Sequence, residues 1–193
     1  MPRVERDSLL PLEAYARERP AFRARVIEHK KQRSVHLGAH VTLLFEDELT
    51  IRYQIQEMLR IERIFEEAGI RGELDVYNPL VPEGSNLKAT MMIEYPDAAE
   101  RQRKLARLKG VEDRVWVQAA GCARVYAIAD EDLKRENDEK TSAVHFLRFE
   151  LDAQMRKVLR EGVGLTMGVD HPQYQASVEV AAEVRAALVA DLV

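Results

Sequence analysis

The stretch 35–65, "VHLGAHVTLLFEDELTIRYQIQEMLRIERIF", changes its period halfway along, and that change decides the fold class. From Val35 the residues alternate, with Val35, Leu37, Ala39, Val41, Leu43 and Phe45 on one side. His36, Gly38, His40, Thr42, Leu44 and Glu46 take the other. Alternation of this kind marks one half-buried strand. From Glu48 the period lengthens. Laid out at about 100° per residue, Ile51, Ile55, Met58, Leu59, Ile61 and Phe65 gather on one side of a helix. The helix is expected over 48–68, with Gly69 as its stop.

Two polar residues fall inside that apolar stripe, Gln54 and Glu62. A carboxylate in such a stripe must be protonated, paired or bound to metal, because burying it bare is too costly. Glu62 is therefore read either as the partner of an arginine from another element, such as Arg25 or Arg148, or as a general base or metal ligand. The arginine pairing is the reading we favour. Glu57 lies on another side of the helix, flanked by Tyr53 and Ile64. Ferritin-like di-metal sites need Glu-x-x-His on paired helices. This helix has the glutamates and no histidine, so that chemistry is set aside.

Upstream, "LPLEAYARER" and "PAFRARVIEHKKQR" read as two helices, with Pro20 at the first position of the second, where a missing N–H costs nothing. Arg23, Arg25, Lys30, Lys31 and Arg33 form a basic strip there. Downstream, "LKATMMIEY" and "TSAVHFLRFELD" alternate as strands, and "RVWVQAAGCARVYAIAD" suits two strands around a turn. "DAAERQRKLARLKG" and "DAQMRKVLREG" are helices with Asp97 and Asp152 as N-caps. "VGLTMGVDHPQYQASVEV" is a hairpin turning at Asp170–Pro172, and "AAEVRAALVADL" is a closing helix. The segment 130–140, "DEDLKRENDEK", is nearly all charge and reads as a solvated loop. The turns at Gly121 and Pro172 imply antiparallel neighbours. The expectation is an α+β fold, a largely antiparallel sheet packed with several helices. A single domain over 1–193 is expected, with an N-terminal helical arm over 1–33 and an α+β core over 34–193.

The 193 residues carry a formal net charge of -4, which argues against a generic nucleic-acid binder. One cysteine, Cys122, forms no internal disulfide and suits a reducing compartment. No signal-peptide run and no membrane-spanning run is present in the sequence, so a cytoplasmic protein is expected. His36 and His40, on one side of a straight strand, stand too far apart for one metal ion. His145 shares a strand side with Leu147, Phe149 and Leu151 and is read as a core histidine with a hydrogen-bond partner. His171, between Asp170 and Pro172, is read as part of a turn before it is read as a site. A polar site joining Glu57, Glu62, His145, Asp170 and His171 stays open, as does a metal on Glu62, His145 and His171. No cofactor is evident. No complete catalytic motif is found: "GVGLTMG" has the wrong spacing for a dinucleotide loop, and Cys122 lacks the setting of an activated thiolate.

Taken together, "HLGAHVTLLFEDELTIRYQIQEMLRIERI", "ELDVYNPLVP", "LKATMMIE", "SAVHFLRFEL" and "VDHPQYQASVEV" resemble a bacterial family known only as domain of unknown function 3501. "LEAYARERPAFRARVIEHKKQRSV" is similar to it as well, so the resemblance runs from about Leu9 to the C-terminus. The resemblance implies a cytosolic bacterial protein whose relatives are often encoded near rubrerythrin-like and iron–sulfur proteins. It assigns no catalytic residue. Two readings follow. One is a non-catalytic accessory or interaction protein for such a redox partner, with the basic strip meeting an acidic surface. The other is a small metal-binding protein or enzyme using the Glu/His set. A homo-oligomer is compatible with either.

Overall fold

The alternating stretch is a hairpin rather than one strand. In the computed structural model, which describes residues 3–129 and 140–193, β1 (Ser34–Leu37) and β2 (Val41–Phe45) are separate. They pair antiparallel with Leu37 opposite Val41, and Gly38 turns the chain at φ +70°. His36 and His40 therefore do not share a straight strand. His36 lies in β1 with Nδ1 3.0 Å from Thr42 Oγ1, and His40 sits in the turn, where its ring stacks on Tyr95. The alternation survives the turn because a tight reversal keeps the same faces inward.

Two further boundaries differ from the sequence reading. α1 (Leu12–Lys31) is one continuous helix with Pro20 inside it. Proline removes the bond to the carbonyl four residues back, here that of Ala16, an exposed residue. α2 (Glu48–Ile61) then ends early, and α3 (Glu67–Tyr77) contains Gly69. The stop is Arg63, which takes the left-handed conformation at φ 54°. The Ile64 N–H closes back on the Leu59 carbonyl at 2.9 Å, a Schellman closure made without glycine. Gly69 serves close approach instead: a Cβ there would sit 2.6 Å from Ile64 Cγ2.

The remaining elements follow the sequence reading except over 115–129, where three strands stand in place of two because the chain leaves one sheet for the other at Ala127. They are β3 (Asn86–Ile93), α4 (Ala98–Arg107), β4 (Val115–Ala119), β5 (Val125–Tyr126), β6 (Ile128–Ala129), β7 (Val144–Glu150), α5 (Ala153–Arg160), β8 (Leu165–His171), β9 (Tyr174–Glu179) and α6 (Ala182–Val189). The charged segment 130–140 lies, but for Lys140, outside the described residues. Asp97 and Asp152 cap α4 and α5, each accepting at 2.7 Å from the backbone three residues on.

The strands form two antiparallel sheets, β1-β2-β3-β7-β6 and β5-β4-β8-β9. Their inner faces share one apolar core, with Leu37, Leu43, Met91 and Phe149 from the first sheet and Val115, Val117, Leu165 and Met167 from the second. A smaller apolar cluster joins the N-terminal segment to α2 and α3 through Val4, Leu9, Ile51, Ile55, Leu59, Ile70 and Leu74. The chain is thus α+β with a wholly antiparallel strand arrangement.

Candidate functional site

α1 and α2 lie side by side, and Gln56 and Glu57 of α2 hydrogen-bond to α1 and the segment before it. The buried side of α2 holds Ile51, Ile55, Gln56 and Leu59, so it is rotated from the stripe read in the sequence. The polar residue it buries is Gln56, not Gln54 or Glu62. Gln56 Oε1 accepts from the Leu10 N–H at 2.6 Å and Nε2 donates to the Leu10 carbonyl at 3.3 Å. Glu62 stands on the surface just past the end of α2, beside Ile61 and Phe65, which are 57% and 74% exposed. Neither burial nor an arginine partner for Glu62 is found. The helix stops before its last apolar positions can turn inward.

The arginine pairing falls on Glu57. Arg19 donates to it with Nε at 2.6 Å and Nη2 at 2.9 Å, a two-pronged contact, and Tyr15 Oη donates at 2.7 Å. The Arg19 hydrogen bonds, outweighing partial burial, hold the Glu57 carboxyl down at about 2. Burial and the bond to Glu57 push the Tyr15 hydroxyl well up.

His145 and His171 meet the same segment, the link between α4 and β4, and each is engaged there separately. His145 is fully buried, with Nε2 3.0 Å from both Thr141 Oγ1 and the Ser142 carbonyl and 3.8 Å from Glu112 Oε2. His171 directs Nε2 to the Lys109 carbonyl at 3.0 Å, and its Nδ1 accepts from the Gln173 N–H at 3.2 Å. Those two bonds assign the neutral ring. Asp170 accepts from Tyr126 Oη at 2.6 Å and lies 3.5 Å from Arg124. Glu57 and Glu62 belong to α2 and its end and take no part in these bonds. Among the described residues no group of three or more His, Cys, Asp or Glu side chains is placed to hold a metal ion.

Arg33 leaves the basic strip. It is buried, donating from Nε to the Phe45 carbonyl at 2.9 Å and from Nη2 to the Glu46 carbonyl at 3.1 Å and to Asp191. Asp47 lies 3.5 Å from Arg33 Nη1 and 2.5 Å from His29 Nε2. Burial pushes Asp47 up, but the Arg33 charge, the Thr50 N–H and His29 together hold it below its ordinary value. Asp191 is raised, its burial outweighing the pull of the same guanidinium. Arg23, Arg25 and Lys31 remain exposed on α1, with Lys30 partly exposed over the Tyr53 ring.

Beside this strip a cleft of about 430 Å³ opens between α1, α2 and the N-terminal segment. Glu18, Ala21, Phe22 and Arg25 line it from α1, Arg52 and Gln56 from α2, and Ser8 and Leu10 from the segment. The Arg25 and Arg52 guanidinium carbons lie 5.2 Å and 5.7 Å from the Phe22 ring centre. Helical periodicity sets Arg52 at or outside the edge of the apolar stripe of α2, so that stripe gives no sign of the cleft. The spacing of Glu18, Ala21, Phe22 and Arg25 on one helical face is the signal that was there to be used.

A family profile described as Protein of unknown function (DUF3501) matches residues 3–192. No curated protein matches the chain. The crystal structure of a novel protein of unknown function from Burkholderia pseudomallei is 57% identical over 100% of both chains, with a TM-score of 0.95. With a profile spanning almost its whole length and a solved relative of the same architecture, the chain belongs to the DUF3501 family.

Proposed function

We propose that this protein is a non-catalytic interaction protein whose α1 surface receives an acidic partner. The observation that carries the reading is the row of exposed cations, Arg23, Arg25 and Lys31, with Lys30 beside them, on one long helix of an otherwise acidic chain. A local positive surface on a net negative protein steers a negative partner toward it. Supporting it, the polar groups that looked like chemistry are held by structural partners: Glu57 by Arg19 and Tyr15, His171 by Lys109 and Gln173. The partner implied by the family resemblance is an iron–sulfur or rubrerythrin-like redox protein.

The test is co-purification from a native host at low and at high salt, with wild type and an Arg23→Glu/Lys31→Glu variant. Retention of one acidic redox protein by the wild type at low salt, lost at high salt and lost in the variant, is the expected result. Equal retention by the two proteins removes the role assigned to α1.

A further inference from the structure

We propose that the cleft between α1 and α2 binds a small monocarboxylate with an apolar body. This goes beyond the interaction reading, since the occupant is a free molecule and, of the strip, only Arg25 lines the cleft, while Arg23 and Lys31 do not.

Two cations from different helices converge here, Arg25 without an ion pair among the described residues and Arg52 ion-paired with Glu48 through Nε. Arg25 makes no hydrogen bond or ion pair among the described residues. Arg52 has Nε 3.3 Å from Glu48 Oε1, yet the angle makes no hydrogen bond, and that Nε is buried without a hydrogen-bond partner. A guanidinium held over a ring by cation–π attraction keeps its in-plane N–H groups for an anion. Phe22 therefore positions both donors and leaves them available. Gln56, 1% exposed, supplies another: its Nε2 carries two hydrogens, and one goes to the Leu10 carbonyl.

The walls set the rest of the ligand. Leu10, Ala21 and Phe22 are apolar and suit an aryl or branched alkyl body. Glu18 lies two helical turns before Arg25, about 10 Å along the axis. A second anionic group reaching that end would meet Glu18, so a dicarboxylate is disfavoured. The cleft volume of about 430 Å³ suits a molecule of this size.

Titration calorimetry of the full chain with phenylacetate, succinate and benzylamine tests the proposal. Saturable phenylacetate binding is expected, with succinate and benzylamine weaker. Arg25→Gln and Arg52→Gln should each weaken it by about tenfold or more, as loss of a charge-assisted hydrogen bond implies. Ala21→Trp, which fills the cleft from an exposed position and removes no charge, should abolish it. Arg23→Glu/Lys31→Glu should leave it unchanged while partner capture is lost, so the two readings fail independently. Absence of phenylacetate binding, binding that survives Ala21→Trp and Arg25→Gln, or succinate binding more tightly than phenylacetate would each overturn the assignment.

Discussion

At the scale of single residues, this protein's polar groups are mostly fasteners. Glu57 is the clearest. Its carboxyl titrates at about 2 in the folded chain against an ordinary 4.5. A carboxyl depressed by folding adds stability above its unfolded value and loses it as pH falls toward the folded one. The acid limb of a stability–pH curve between 4.5 and about 2 should therefore be shallower in Glu57→Gln, followed by urea denaturation. At neutral pH the same variant should lose about 1–3 kcal/mol, since Arg19 and Tyr15 keep donors with a weaker acceptor. Gly168 fastens by having no side chain. A Cβ there would lie 2.4 Å from Trp116 Cζ2 and 2.7 Å from the Ala176 carbonyl. Gly168→Ala should cost roughly 1–3 kcal/mol through overpacking, visible as a lower denaturation midpoint with an unchanged slope. Neither role is legible in a sequence: Glu57 reads as a charge on a helix side until the α1 seam is known. Glu62 was over-read because the stripe was extended past a stop that no glycine announces.

At the scale of elements, local chemistry was largely readable. Asp97 and Asp152 mark helix starts because a short carboxylate satisfies otherwise unpaired N–H groups. Alternation placed β3, β7, β8 and β9. The errors came where tertiary context overrides a local signal. Pro20 reads as a helix start, yet α1 runs through it, and the carbonyl that loses its donor belongs to an exposed residue, Ala16. Pro20→Ala restores the missing donor and relieves the ring, so it should stabilise the protein by roughly 1–3 kcal/mol. A gain in thermal midpoint with no change in helix content by circular dichroism is the expected outcome. A fall would mean that the proline's rigidity in the unfolded chain matters more than the lost bond. The hairpin at Gly38 was hidden for a different reason: a tight reversal preserves the two-residue period on both sides of the turn.

At the scale of the molecule, Arg33 joins parts that are far apart in sequence. It follows α1, holds the backbone at the end of β2 and reaches Asp191 beyond α6. Removing one member of a buried charged set leaves the others uncompensated, at about 3–5 kcal/mol. Arg33→Met should therefore release the segment after α6, with amide exchange rising first at 188–193 and limited proteolysis cutting there before elsewhere. If exchange rises equally throughout, the set is merely part of the global core. No sequence pattern separates Arg33 from its exposed neighbours Arg23, Arg25 and Lys31. Its burial against the Phe45 and Glu46 carbonyls and the Asp191 side chain does so.

The bend at Ala127 carries a separate consequence. β5 ends at Tyr126 in the second sheet and β6 begins at Ile128 in the first, so the chain passes from one layer to the other across the single residue Ala127. β6 registers against β7, and β5 against β4, which in turn pairs with β8. Pairing of β5 in one layer brings β6 to the edge of the other, and both layers depend on pairings between distant parts of the chain. Such contacts close late and slowly. The two layers are expected to assemble as one kinetic event, with fluorescence of Trp116 in β4 and exchange protection in β7 appearing at the same rate during refolding.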